Sequence, residues 1–533
     1  VPAEPAIGAP GRLPARRVDA QGRARVDGRA IVALALPLFV NSSLQAVLNL
    51  TDTWFIGRIS AQAVAAVGGV YWIVLGSLLL LGGVGMVVQA FAAQAYGGGR
   101  RRRAALAAWS GLWASVALAP VFAAIAWAGP WVVPWLGLPP ELREMSVEYW
   151  GPRMLGGGAA IALWSVLSFF NGVGHVRRAL AINAVVAVLN AGLNEWLMFG
   201  LGLGVAGSAW ATTLSICAGL AIAMAVFLGE TYRRRYASSR MWRPRLRSIV
   251  ATVSVGLPVG LSIAFDILGL AAFQAMLTRL GTVPGAASQI VMMLTSIAYM
   301  PAVGLGMAGT TLVGQSIGAG DRDWARRVGD RTIVLSVGYM FVIGFVLAIA
   351  GPWLLPQFVS AADPQAGAVI ALGTTLIWIG AAYQFFDGLN IGCGFCLRGA
   401  GDTRFPALAL LVLAWGLFVP LVHLLAFAPG EGWVAWAPGA GWGAVGGWIA
   451  AVVYIGLLGI TLAWRWRSGR WRQFSLGCGA GLSLRRRPPT ATPPPPAARP
   501  PSPRKSRRGC RSRRPATRSR PARPSRRRTS GTG

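Results

Sequence analysis

Between residues 31 and 465 the chain offers twelve runs of about 20 apolar residues, each long enough to cross a ~30 Å hydrocarbon layer as a helix. In hydrocarbon every backbone N–H and C=O must be satisfied within the protein, and a helix does this inside a single segment. The runs therefore predict an all-α integral membrane protein with spans over 31–57, 62–93, 104–129, 147–173, 179–200, 204–229, 249–279, 284–316, 332–358, 366–396, 405–428 and 441–465. Composition excludes an ordinary soluble domain: 54% of residues are hydrophobic, 13% are charged, and mean hydropathy is +0.54.

The net charge of +33 raises the question of nucleic acid, but its distribution argues against a specific nucleic-acid partner. With the amino terminus inside, the N-terminal arm and the inward connections hold 25 arginines ahead of residue 465, and the outward connections with the adjoining span ends hold four. That positive-inside asymmetry puts both termini in the cytoplasm of a multi-pass inner-membrane protein. The connection 230–248 is the richest in Arg and reads as a loop lying against anionic headgroups. Residues 466–533, rich in Arg, Pro and Ser and without one acid, read as a disordered tail, and 1–29 as a cytoplasmic arm. The first apolar run is too long for a signal-peptide h-region and is kept as a span.

The chain is also a tandem repeat. A shift of 221 positions aligns Pro37 with Pro258, Gly85 with Gly306, Met86 with Met307, Gln94 with Gln315 and Gly97 with Gly318. A shift of 227 aligns Gly172, Gly174 and Arg177 with Gly399, Gly401 and Arg404, and a shift of 239 aligns Gly204 and Gly207 with Gly443 and Gly446. Six spans per copy give both halves the same membrane orientation, as in transporters built from parallel repeats. The expected organisation is a first lobe at 30–229, the basic connection 230–248, and a second lobe at 249–465.

Four of the seventeen acids, Asp52, Glu195, Asp266 and Asp387, fall well inside these runs, whereas Glu148 stands at the very start of the fourth. A carboxylate there costs at least ~2.5–3.5 kcal/mol, so such residues mark pathways for ions or protons. The repeat does not preserve them: Asp52 aligns with Phe273, Asp266 with Gln45 and Asp387 with Ala160. Other chemistries lack support. Cys393 and Cys396 have no second ligand pair, His175 and His423 are isolated, and no Walker motif would supply ATP-driven work.

Three segments resemble the MATE (multidrug and toxic compound extrusion) family: 34–58, LALPLFVNSSLQAVLNLTDTWFIGR; 301–321, PAVGLGMAGTTLVGQSIGAGD; and 387–403, DGLNIGCGFCLRGAGDT. The DinF-like bacterial branch is the closest in pattern. The resemblance implies two pseudo-symmetric six-helix bundles in a V, working as a secondary antiporter that exports cationic or amphipathic small molecules in exchange for H⁺ or Na⁺. It implies no enzyme activity, no cofactor or metal beyond the coupling ion, a lipid bilayer as surroundings, and a monomer. Carried over residue by residue, Asp52, Asn190, Asn194 and Thr212 form the first-lobe ion site, Pro37 is the kink in the first helix, and Asp266 and Asp387 are cation-site residues of the second lobe. The family has an acid where this chain has Asn194, and Glu195 is the neighbouring candidate to replace it.

Two other functions compete with this one. A flippase for lipid-linked saccharides would place Arg in the cavity, whereas the core spans here carry acids and almost no Arg. An intramembrane aspartyl protease is suggested by the two GAGD strings ending at Asp321 and Asp402, but both lie at helix ends beside arginines. Tyr71, Trp164, Met292, Met293, Tyr299 and Phe386 are candidates to receive a lipophilic cation.

Overall fold

The computed structural model describes residues 13–360, 364–434, 436 and 438–476, so the basic tail from position 477 onward lies outside the described residues. Among those described, eleven helices are long and apolar enough to span a membrane, and a bent pair makes a twelfth. In chain order they are α1 (Gly28–Gly57), α2 (Ala61–Gly97), α3 (Arg101–Trp127), α4 (Pro140–Leu155 with Gly157–Gly172), α5 (Val176–Gly200) and α6 (Gly204–Leu228). The second set is α7 (Leu246–Arg279), α8 (Thr282–Gly318), α9 (Arg322–Phe358), α10 (Ala366–Ala400), α11 (Arg404–Ala426) and α12 (Gly443–Arg467). Helix starts follow local chemistry: Asp27, Ser60 and Asp321 are N-caps whose side chains accept the N–H of Arg29, Ala63 and Trp324.

Four segments depart from expectation. Residues 466–476, expected within the disordered tail 466–533, are ordered: α12 runs to Arg467, Trp466 and Trp471 are buried and stack at 4.5 Å, and the Leu476 N–H donates to Gln94 Oε1 at 2.9 Å. The fourth span begins at Pro140 and turns by 43° at Gly156; Pro152 weakens the helix there, and Gly157 lets Phe122 pack where a Cβ would lie 2.3 Å from its ring. The 230–248 connection is not a free basic loop. Glu230–Tyr236 is helical, and its Tyr232 and Tyr236 are buried against Phe169. Trp109 Nε1 and Trp113 Nε1 donate to the Ser238 and Trp242 carbonyls at 2.7 and 2.6 Å, pinning it to α3. The N-terminal arm forms a hairpin, β1 (Arg16–Val18) with β2 (Ala24–Val26), whose turn is closed by the Asp19 carboxylate accepting from the Gln21 and Arg23 N–H groups. Pro14 C=O accepts from Trp324 Nε1 at 2.9 Å, which ties this arm to α9.

The halves meet where α1 runs along α8 and α2 along α7. At the arginine-rich end of the bundle the aligned residues of the repeat form the crossing itself. Gln94 Nε2 donates to Gly399 C=O and Gln315 Nε2 to Gly172 C=O, each at 3.0 Å, so two repeat-equivalent glutamines grip two repeat-equivalent carbonyls. A Cβ on Gly97 would lie 1.9 Å from Gln315 C=O and one on Gly318 2.0 Å from Gln94 C=O. In lipid, where apolar association gives little drive, such close backbone approach is the main source of helix adhesion.

His175, in the connection before α5, lies 2.8 Å by Nδ1 from the Tyr232 hydroxyl. Burial, aided by Arg178 and Arg235, lowers its pKa to about 4. The folded protein thus holds a neutral imidazole where the unfolded chain takes a proton below its ordinary value of about 6.5. Stability is full above pH 6.5 and falls as the pH drops toward 4. The melting temperature of the solubilised protein should decline between pH 7.5 and 5, and His175→Asn should flatten that decline; an unchanged slope would remove His175 as its source.

Candidate functional site

Asp52 stands five residues from the end of α1 and is buried at 8% exposure, facing α5 and α6. Asn194 Nδ2 donates to Asp52 Oδ1 at 2.7 Å, and Thr212 Oγ1 lies 3.0 Å from Oδ2. Asn190 links the two: its Nδ2 donates to Thr212 Oγ1 at 3.3 Å, and its Oδ1 accepts from Asn194 Nδ2 at 3.2 Å. The spacing of Asn190 and Asn194, one helical turn, puts both amides on one face of α5. The four residues expected for the first-lobe site are therefore brought together. Pro37 lies within α1, fifteen residues before the acid, and is not part of the cluster.

Glu195 does not join them. It opens a π-helical turn, Glu195–Gly200, and its carboxylate lies 2.8 Å from Arg58 at the exposed rim. The acid that the sequence offered as a stand-in for Asn194 points elsewhere, because adjacent residues on a helix diverge by about 100°. Asp52 is thus the single carboxylate in its cluster. Asn194 Oδ1 and Ser208 Oγ, both buried, have no partner among the described residues, so the cluster keeps unused oxygen acceptors beside a carboxylate.

The second lobe holds a larger feature, a cavity of about 470 Å³ between α7, α8, α10, α11 and α12. Asp266 and Asp387 both line it. Tyr454 donates its hydroxyl to Asp266 Oδ1 at 3.3 Å, and Asn390 Nδ2 donates to Asp387 Oδ1 at 3.0 Å. Phe273, which the repeat sets opposite Asp52, packs edge-on against Trp448 in the cavity wall. Of the six aromatic and Met candidates, only Met292 and Tyr299 line it, while Met293 is 56% exposed.

The sequence missed Asn390, Tyr454 and above all Arg398. Spans over 366–396 and 405–428 leave the last in an inward connection, yet it lies in α10 and lines the same cavity as the two acids. Its position three residues from Phe395, whose ring its guanidinium covers at 4.5 Å, was the available signal. The GAGD acids are structural. Asp321 caps α9, and Asp402 pairs with Arg465 at 2.7 Å.

A twelve-helix membrane bundle with a carboxylate cluster in one half and an acidic, drug-sized cavity in the other is the architecture of a transporter, not of an enzyme. The MatE family model matches residues 37–196 and 248–424, and the chain belongs to the MATE family. It is 32% identical over 409 residues to the probable multidrug resistance protein NorM of Burkholderia mallei, covering 75% of this chain and 86% of that one. To the multidrug resistance protein NorM of Burkholderia vietnamiensis it is 30% identical over 441 residues, covering 81% and 92%. These relatives bear the NorM name and do not single out the DinF-like branch.

The fold matches a MOP superfamily transporter from Pyrococcus furiosus with a TM-score of 0.73 at 19% identity, covering 84% of this chain and 98% of that one. A MATE structure in the straight conformation matches with a TM-score of 0.71 at 20% identity, covering 84% and 97%.

Proposed function

We propose that the protein is a secondary antiporter that exports cationic or amphipathic small molecules in exchange for H⁺ or Na⁺. The arginine-rich end would face the cytoplasm, and residues 30–229 and 249–465 would be the two moving lobes. The observation that carries this reading is the Asp52 cluster, in which one buried carboxylate accepts from Asn194 and Thr212 on two other helices and Asn190 braces both.

The cluster can serve either ion. Thr212 has one hydroxyl hydrogen and two acceptors in reach, Asp52 Oδ2 at 3.0 Å and Ser208 C=O at 3.1 Å. While Asp52 is ionised, the hydroxyl donates to it. Once Asp52 takes a proton, the hydroxyl rotates to Ser208 C=O and accepts the new O–H, so neither state strands the Thr212 hydroxyl or the Asp52 oxygen it faces. For Na⁺, a hard cation, the free Asn194 Oδ1 and the Asp52 oxygens supply oxygen ligands. Either event changes the charge of a low-dielectric cluster by one unit and biases one lobe arrangement over the other. The acids of the second-lobe cavity favour a positively charged substrate, and the flippase reading lacks the multiply basic cavity that a pyrophosphate would need.

Vesicles loaded with ethidium and given an imposed Na⁺ or pH gradient should release the dye with one gradient and not with neither. Gradient-independent release, or full activity in the triple variant Asp52→Asn, Asp266→Asn, Asp387→Asn, would refute the antiport reading.

A further inference from the structure

We infer that residues 468–476 are a latch, rooted on the second lobe and clipped to Gln94 of the first, which holds the arginine-rich end of the bundle closed and detaches when that end opens. The inference rests on the two-lobe motion of the export reading and adds a control that the reading does not require. The root is built on α9 and α12, both of the second lobe. Gly469, at φ 69°, follows the end of α12 and turns the chain back. Trp471 stacks on Trp466 at 4.5 Å, and its Nε1 donates to the Trp466 C=O at 2.8 Å. Trp466 Nε1 donates in turn to Asp330 Oδ1 at 2.7 Å, and its ring fills the space over Gly329, where a Cβ would lie 2.2 Å away. Arg472 pairs with Asp323 at 2.8 Å, which completes the attachment to α9.

The tip crosses to the other half. Leu476 N–H donates to Gln94 Oε1 at 2.9 Å, while Nε2 of the same amide donates to Gly399 C=O at 3.0 Å. One first-lobe amide is thus held at both of its polar atoms by second-lobe partners, and moving α2 away from α10 breaks both bonds. The Leu476 side chain packs against an apolar cluster drawn almost wholly from the first lobe, Phe91 and Tyr96 among it. It also closes over the turn that ends α10, where a Cβ on Gly401 would lie 2.8 Å from Leu476 Cγ. An equilibrium between closed and open arrangements shifts by whatever contacts exist in one state alone, and these exist only while the end is closed. The competing explanation, that the segment merely covers the end of α12, predicts a loss of stability with no change in lobe separation.

Spin labels on Arg102→Cys and Arg327→Cys, exposed positions on either lobe at the arginine-rich end, report the separation by pulsed electron paramagnetic resonance. The purified full-length protein carries Cys217→Ser, Cys478→Ser and Cys510→Ser so that only these sites are labelled. Leu476→Asp puts a charge into the apolar contact and should raise the ratio of long to short separations at least ~10-fold, as loss of one hydrogen bond and part of a leucine's burial implies. Leu476→Met should leave the wild-type ratio. Identical distributions in all three proteins, or lower thermal stability of Leu476→Asp without longer separations, overturn the latch. Where Leu476→Asp does not fold, hydrogen exchange on the wild type decides: the Leu476 amide should exchange at least ~10-fold more slowly than an unstructured chain, and exchange at the free rate overturns the latch. Gradient-driven dye release from wild-type vesicles is measured alongside. Release with unchanged separations leaves the export reading standing without the latch, and a longer separation without release keeps the latch and removes that reading.

Discussion

Asp52→Asn should reduce gradient-driven dye efflux at least ~100-fold while leaving the protein folded. An ion that swings a two-state bundle from about 1:99 to 99:1 must bind one state ~5.5 kcal/mol better than the other, and the first-lobe cluster offers a single carboxylate as the source of that difference. Asn fills the same volume and can still meet Asn194 and Thr212, so the substitution removes the titrating charge and little else. Thr212→Val should cost about ten-fold, because it takes a hydrogen bond from a buried ionisable group without removing that group. Glu195→Gln should change efflux less than about two-fold, since Glu195 sits at the rim with Arg58, and exposed pairs contribute little. Initial rates in vesicles, normalised to protein inserted, measure all three. If Asp52→Asn exports normally, coupling belongs to Asp266 and Asp387, and the first-lobe assignment is wrong.

Arg465→Met should destabilise the protein by about 3–5 kcal/mol, the usual consequence of stranding one member of a buried ion pair. Asp402 is 2% exposed and Arg465 11%, with the two 2.7 Å apart and the guanidinium also covering Phe405 at 4.7 Å. Burial raises the Asp402 carboxyl above its ordinary pKa even though Arg465 pulls it down. Without Arg465 the upward shift grows. A raised acid contributes its stability below the unfolded value near 3.8 and loses it as the pH climbs through the folded one, so the deficit of Arg465→Met should be larger at pH 8 than at pH 5. Adding Asp402→Asn removes the stranded charge and should recover most of the loss. Thermal unfolding of the two single variants and the double variant closes the cycle; additive losses would show that the pair does not act as a unit.

Much of the first-lobe site was legible before any coordinates, and for a definite reason. Asp52 stood out because a charge in an apolar run is expensive, and Asn190 with Asn194 share a face because a helix repeats every 3.6 residues. The second-lobe cavity was less so. Asp266 and Asp387 were legible by the same cost argument, but Tyr454 and Asn390 are ordinary residues until the fold sets them against those acids. Arg398 was misplaced because positive charge near a span end reads as a loop anchor. Which way its side chain leans depends on the helix continuing to Ala400.

Hydrocarbon, by refusing unsatisfied backbone, makes long apolar runs into helices, so the sequence alone determined the spans, their all-helical class and the doubled architecture. It also determined which Gly and Gln recur. Only the tertiary structure decided what those residues do, because Gln94 meets Gly399 across 305 positions and Asn194 meets Asp52 across 142. It decided likewise that Glu195 turns outward, that α4 bends, and that Arg398 shares a chamber with two acids. Periodicity along one helix is a local property that sequence records directly. The partner across an interface depends on how helices cross, and close backbone approach at a few glycines sets that crossing.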